Sequence, residues 1–159
     1  MPQRKTVAVI GLSKANIILL ATKIAQYHTV LLFDTDAILL NEVYLKMHSE
    51  NPNSTIEIVN CPIDASWEAD VILFSDSFFY EEELIQKIKK VTTGKVILIL
   101  WSQNMDLAVD MDQAKIRNLF PFSKVFSIAV KSDNYDNFFL KDKDDENIQS
   151  VMAFLSANC

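Results

Sequence analysis

The stretch "TVAVIGLSKANIILL" (residues 6–20) decides how this chain folds. Residues 6–11 are a short apolar run rich in β-branched side chains, the pattern of a strand covered on both faces. Gly11 interrupts it. From residue 14 to 26 the apolar positions recur at helical spacing, with Ile17, Leu20 and Ile24 on one broad face. Strand, glycine turn and helix in that order open a dinucleotide-binding unit, whose turn ordinarily reads G-x-G-x-x-G. Here the turn reads Gly11, Leu12, Ser13, Lys14, Ala15, Asn16, so one of the three glycines stands.

Beyond this stretch the hydrophobic period keeps switching between strand and helix. Strands are expected at "TVLLFD" (29–34), "TIEIV" (55–59), "DVILFS" (70–75), "KVILILW" (95–101), "KVFSIAV" (124–130) and "NFFLK" (137–141). Helices are expected at 37–48, 81–93, 106–119 and 145–157, with one or two further turns at 64–69 capped by Asp64. The helix at 81–93 carries acids in its first turn and lysines in its last, which suits the helix dipole, and Gly94 is its expected left-handed stop. Connections are short, with no repeat and no linker, so one domain spanning 1–159 is expected. Alternation of buried strands with helices means an α/β doubly wound, mainly parallel sheet with helices on both faces, a Rossmann-like fold.

Composition narrows the function. A formal net charge of −6 leaves nothing to offset phosphate repulsion, which argues against a nucleic-acid or anionic-membrane partner. No apolar run approaches the ~20 residues that span a bilayer, and "MPQRKT" at the start is not a signal peptide. Two cysteines without metal-ligand spacing imply no disulfide framework and no metal, and a cytoplasmic location is expected. His28 and His48 are expected at the surface or as helix caps. The Tyr-x-x-x-Lys pair of short-chain dehydrogenases, the G-x-S-x-G elbow and the Walker lysine are all missing from the sequence. A phospho-receiver domain would want acids after its first strand, where Gly11, Leu12 and Ser13 stand.

In doubly wound sheets ligands sit beyond the carboxyl ends of the strands, where strand order reverses. That places the candidate site at the Gly11 turn, at Asp34, Thr35 and Asp36, at Ser75, Asp76, Ser77 and Phe78, and from Trp101 through Ser102 to residue 104. Gly11 supplies the tight turn. Ser13 puts a small hydroxyl where pyrophosphate approaches, and Asn16 replaces the glycine that packs helix on strand. The helix N-terminus with its free amides survives these changes, and Lys14 adds a cation beside it. Asp34 stands 23 residues after Gly11, where an acid holds the adenosine ribose. Its carboxylate would favour NAD over NADP. The same residues have a plain structural reading: Ser13 or Asn16 as the cap of the first helix, Asp34 as the cap of the second. Trp101 and Phe78 could stack on a ring or belong to the core. A charge cluster at 141–147 reads as a solvated turn.

The segments "KTVAVIGLSKANIILLATKIAQ", "ADVILFSDS", "GKVILILWSQN", "SKVFSIAV" and "NFFLKDKDDENIQSVMAFLSAN" fall in the order seen in the NAD(P)-binding domain of deazaflavin-dependent NADP oxidoreductases, within the wider group of 6-phosphogluconate dehydrogenase. The sequence resembles that family along nearly its whole length. The resemblance implies NAD(P) binding and oxidoreductase activity, with Gly11, Ser13 and Asn16 at the pyrophosphate, Asp34 to Asp36 at the ribose, and Ser75 to Phe78 along the nicotinamide side. Ser102 would join Ser75 and Asp76 at the reactive end. No His, Tyr or Lys is placed to act as a general acid, and Asp76 is the least unsuitable residue for that role. Relatives often carry a helical domain after the sheet, so the expectation is a homodimer lending a second surface, or a non-catalytic module with a degenerate cofactor site that works through protein contacts or small-ligand sensing.

Overall fold

The computed structural model of the chain describes residues 4–75, 77, 81–101, 118–130 and 138–140. Seven strands form one sheet in the order β3-β2-β1-β4-β5-β6-β7. They are β1 (Thr6–Ile10), β2 (Thr29–Phe33), β3 (Ile56–Ile58), β4 (Val71–Ser75), β5 (Val96–Trp101), β6 (Lys124–Val130) and β7 (Phe138–Leu140). The first six run parallel, and β7 pairs antiparallel with β6. Among the described residues the connecting helices are α1 (Ala15–Ile24), α2 (Ala37–Glu50), α3 (Pro62–Glu68) and α4 (Glu82–Lys89). The doubly wound α/β architecture read from the sequence is the one found. The helix expected at 145–157 and nearly all of that at 106–119 lie outside the described residues.

The strands are apolar along their length because alternate residues enter two different cores. Val7, Val9, Val30, Leu32, Leu73 and Leu98 face α1 and α2, and pack with Ile17, Leu20, Ile24, Val43 and Met47. Ala8, Ile10, Leu31, Phe33, Ile72, Phe74 and Ile99 face the other way, and pack with Ala65, Ile85 and Ile88 of α3 and α4. Helix placement follows from the handedness of parallel crossovers. The chain winds outward from β1 to β3 with α1 and α2 on one face. It then returns through α3 to β4 on the opposite side of β1, which puts α3 and α4 on the other face. Strand order therefore reverses between β1 and β4, and the crevice for a ligand opens there.

Local chemistry departs from expectation at several ends. Asp64 does not cap α3: Cys61 holds the cap position, Pro62 stands in the first turn where its missing N–H costs nothing, and Asp64 lies inside that turn. The far end of α3 is capped by a side chain from β5's entry. The Lys95 ammonium donates to the carbonyls of Ser66, Trp67 and Ala69 and sits 5.9 Å from the centroid of the Trp67 ring. Burial lowers the Lys95 pKa below its ordinary 10.5, with Asp70 opposing the shift. Helix α4 ends at Lys89, sooner than 93, and Gly94 (φ 79°) turns the chain into β5 with its amide bonded to the Phe122 carbonyl. His28 is no surface residue. It is buried where β2 begins, and its Nδ1 accepts the Lys5 amide at 3.0 Å. His48 lies in the last turn of α2, stacked on Tyr44.

Candidate functional site

At the carboxyl end of β1 the ladder runs one residue past the strand, with the Gly11 amide donating to the Phe33 carbonyl at 2.9 Å. Gly11 then takes φ 87°, a conformation that L side chains rarely adopt. A Cβ built there would meet nothing within 4 Å, so the turn needs glycine for its backbone angle and not for room. Leu12 folds its side chain back into the core, while its amide donates to Asp34 Oδ2 at 2.7 Å. Ser13 is exposed. Helix α1 follows with Lys14 at its cap position and no side-chain cap. Neither Ser13 nor Asn16 fills that role. Among the described residues, no capping side chain closes this N-terminus, the positive end of the helix dipole.

The end of β2 is bound to this turn through Asp34. Its Oδ2 takes the Leu12 amide, and its Oδ1 takes the Asp36 amide at 2.8 Å, closing a short Asx turn through exposed Thr35. Asp34 does not cap α2. That role falls to Asp36, whose Oδ1 accepts the amides of Ile38 at 3.0 Å and Leu39 at 3.1 Å. Across the switch point, Ser75 ends β4 with its buried hydroxyl 2.7 Å from that of Ser77. Glu81 stands at the start of α4 and makes no capping hydrogen bond.

These three chain ends enclose a cleft of about 270 Å³. Gly11, Ser13, Asp34, Thr35, Asp36, Ser75 and Ser77 line it, so three of the four stretches singled out in the sequence meet in one place. Leu12, Lys14, Ala15 and Asn16 flank it without lining it; Leu12 is in the core, Lys14 and Ala15 are exposed, and Asn16 is half-buried. Trp101 is a core residue, 4 % exposed, packed on the α3–α4 side of the sheet. Asp76, Phe78 and Ser102 lie outside the described residues. Sequence reasoning missed Ile10, Phe33, Leu39, Leu84 and Glu81, which also line the cleft. Ile10 and Phe33 are last strand residues, Leu39 and Leu84 are first-turn helix positions whose spacing pointed only to packing, and Glu81 was legible only as an acid suited to the helix dipole. Among the described residues the lining carries three carboxylates, Asp34, Asp36 and Glu81, and no lysine or arginine. No group of three or more His, Cys, Asp or Glu is placed there or elsewhere to hold a metal ion, and no helix is long and apolar enough to cross a membrane, among those residues.

Strand order, reversal point and glycine turn define a Rossmann-type α/β domain. The comparisons agree at the level of fold. The chain superposes on an imine reductase from Myxococcus stipitatus in complex with NADP+ with a TM-score of 0.58 and 16% identity, covering 80% of this chain and 41% of that one. An imine reductase from Bacillus cereus gives 0.61 and 16%, covering 84% and 43%. One from a Pseudomonas species gives 0.61 and 12%, covering 97% and 51%. The chain thus spans about half the length of the enzymes it matches. These neighbours support a Rossmann domain and do not single out the deazaflavin-dependent group. No family model and no curated protein matches the chain.

Proposed function

We propose that this domain binds a nicotinamide dinucleotide in the cleft at the β1–β4 switch point and serves as the coenzyme-holding half of an oxidoreductase. The observation that carries the reading is the uncapped N-terminus of α1 behind Gly11, held in register by Asp34. Gly11, Ser13 and the first-turn amides would hold the pyrophosphate. Asp34 would accept from the adenosine ribose: a carboxylate offers about four lone-pair positions, and two backbone amides leave capacity for a hydroxyl. The dinucleotide supplies hydride chemistry at its nicotinamide, while the chain supplies position and polarity.

The M. stipitatus imine reductase is described with NADP+ and a variant of it with NAD+, so the neighbours leave the choice between the two open. NAD is favoured in this chain because Asp34, Asp36 and Glu81 would repel a 2′-phosphate and no cation lines the described cleft. A homodimer lending a second surface to the cleft belongs to the same proposal.

One observation favours a second reading, a binding module without redox chemistry: the acidic lining lowers affinity for any diphosphate. Thermal shift with NADH and NADPH separates the two. Saturable stabilisation by NADH at micromolar concentration, exceeding that by NADPH, supports the coenzyme reading. No shift with either at millimolar concentration supports the module.

A further inference from the structure

We propose that the groove at the amino ends of β5 and β6 docks an acidic peptide segment anchored by one bulky apolar side chain. It lies at the opposite edge of the sheet from the coenzyme cleft and stands independently of that reading. The groove is formed by the last turn of α4 and the turn that enters β6, and holds about 300 Å³. Pockets for small molecules begin at about this size, so it suits one side chain better than a larger ligand. Its walls are fixed by hydrogen bonds. The Gly94 amide donates to the Phe122 carbonyl at 2.8 Å, and the Lys124 amide to the Lys95 carbonyl at 3.0 Å. The Thr92 hydroxyl donates to the Lys89 carbonyl at 3.0 Å, and the Ser123 hydroxyl to the Thr92 carbonyl at 2.7 Å. The end of α4 and the turn before β6 are thus tied together before any partner arrives, which limits the ordering cost of binding. Phe120, Pro121 and Phe122 all line the groove; Phe120 is in the core, whereas Phe122 is 74 % exposed. A lone exposed phenyl needs no explanation. One that lines a cavity beside two other apolar residues offers an anchor side chain surface to cover.

Charge selects the partner. Residues 84–101 and 118–130 carry the lysines 87, 89, 90, 95 and 124 and no aspartate or glutamate, in a chain whose formal net charge is −6. Lys95 is committed to the carbonyls at the end of α3. Lys89 and Lys90 line the groove, and no carboxylate lines it with them. Among the described residues neither ammonium has an ion-pair or hydrogen-bond partner. A lysine in a last turn is ordinary, but the helix dipole there amounts to about half a charge. Lys87, Lys89 and Lys90 exceed that, so the end of α4 keeps a positive surplus that carboxylates complement. The Gln86 amide and the Thr93 hydroxyl also line the groove without partners among the described residues, and both can bond a peptide backbone. A nucleic acid would meet the repulsion of the whole acidic chain. A segment with two or three carboxylates feels chiefly the charges within a Debye length, roughly 8–10 Å.

Fluorescence anisotropy of short labelled peptides titrated with the whole chain tests this. The probe is a peptide rich in aspartate and glutamate with a central leucine. One control carries serine for the leucine, and another carries lysines for the acids. The leucine peptide should bind saturably, the serine peptide about tenfold more weakly, and the lysine peptide not at all. Phe122→Ser should weaken the leucine peptide several-fold while leaving Tm unchanged, because the ring is exposed. Lys89→Glu combined with Lys90→Glu should weaken it by about tenfold at low salt. Should that reversal disturb α4, Lys90→Gln and the salt dependence of the unaltered chain read the same contribution. Equal binding of the acidic and lysine peptides, or no binding of the leucine peptide up to millimolar concentration, would overturn the proposal. So would an affinity unmoved by Phe122→Ser and by the lysine substitutions, or attachment to phosphatidylserine vesicles without peptide binding.

Discussion

Replacing Asp34 by alanine tests how the cleft is built, and the structure gives the size of the effect. The carboxylate accepts two backbone amides, that of Leu12 at 2.7 Å in a part-buried setting and that of Asp36 at 2.8 Å in an exposed one. A hydrogen bond to a charged group contributes about 1.5–3 kcal/mol when shielded, and an exposed one less. Taking the low end for Leu12 and under 1 kcal/mol for Asp36, Asp34→Ala should destabilise the fold by about 1.5–2.5 kcal/mol. For a chain of this length that lowers Tm by roughly 3–10 °C. Asp34→Asn retains one acceptor but turns an amide donor toward the other N–H, and should fall about midway. Thermal unfolding followed by tryptophan fluorescence reads the change, since Trp101 is in the core. A Tm within about 1 °C of the parent protein would refute the claim that Asp34 joins β2 to the glycine turn. Loss of dinucleotide binding in Asp34→Ala alone would not identify a ribose contact, because the turn proposed to hold the phosphate would loosen at the same time.

Three further substitutions probe other parts of the account. Gly11→Ala has room for its methyl group but not for φ 87°, so it should cost about 1–2 kcal/mol, with Gly11→Asn milder, as measured by chemical denaturation. Lys95→Met removes the ammonium that satisfies three carbonyls at the end of α3, and should lower stability by about 1–3 kcal/mol while changing the emission of Trp67. His28 has its pKa lowered from 6.5 by burial, with Arg4 and Lys5 adding to the effect. The unfolded chain therefore binds this proton first as pH falls. The contribution is fully present above 6.5 and is lost as pH drops through the folded value. His28→Gln, which keeps an acceptor for the Lys5 amide, should flatten the acid limb of a Tm-against-pH curve, and an unchanged limb would contradict this.

Much of the fold was legible because it is written in short-range patterns. Strands β1, β2, β4 and β5 are uninterrupted apolar runs, and only a sheet covered on both faces asks for that. The antiparallel direction of β7 was not legible, since a three-residue strand carries no mark of its polarity. The convergence of Gly11, Asp34 and Ser75 on one cleft was legible, since each ends or follows a strand at the switch point. It was not where long-range contacts decide: Asp34 was read as a ribose ligand or a helix cap, whereas its first obligation is to an amide 22 residues away. His28 was misplaced for the same reason, its ring being held by a backbone amide on a neighbouring strand's approach. The role of Lys95 as the cap of α3 spans 26 to 29 residues, and no local rule announces it.

The central claim is that the amides opening α1 face a dinucleotide. Titration of isotopically labelled protein with NADH, followed by amide NMR spectra, tests it directly. Saturable shifts concentrated at Gly11, Ser13, the first turn of α1 and Asp34 to Asp36 are the predicted result. Shifts that cluster elsewhere, or none at millimolar NADH, would contradict it.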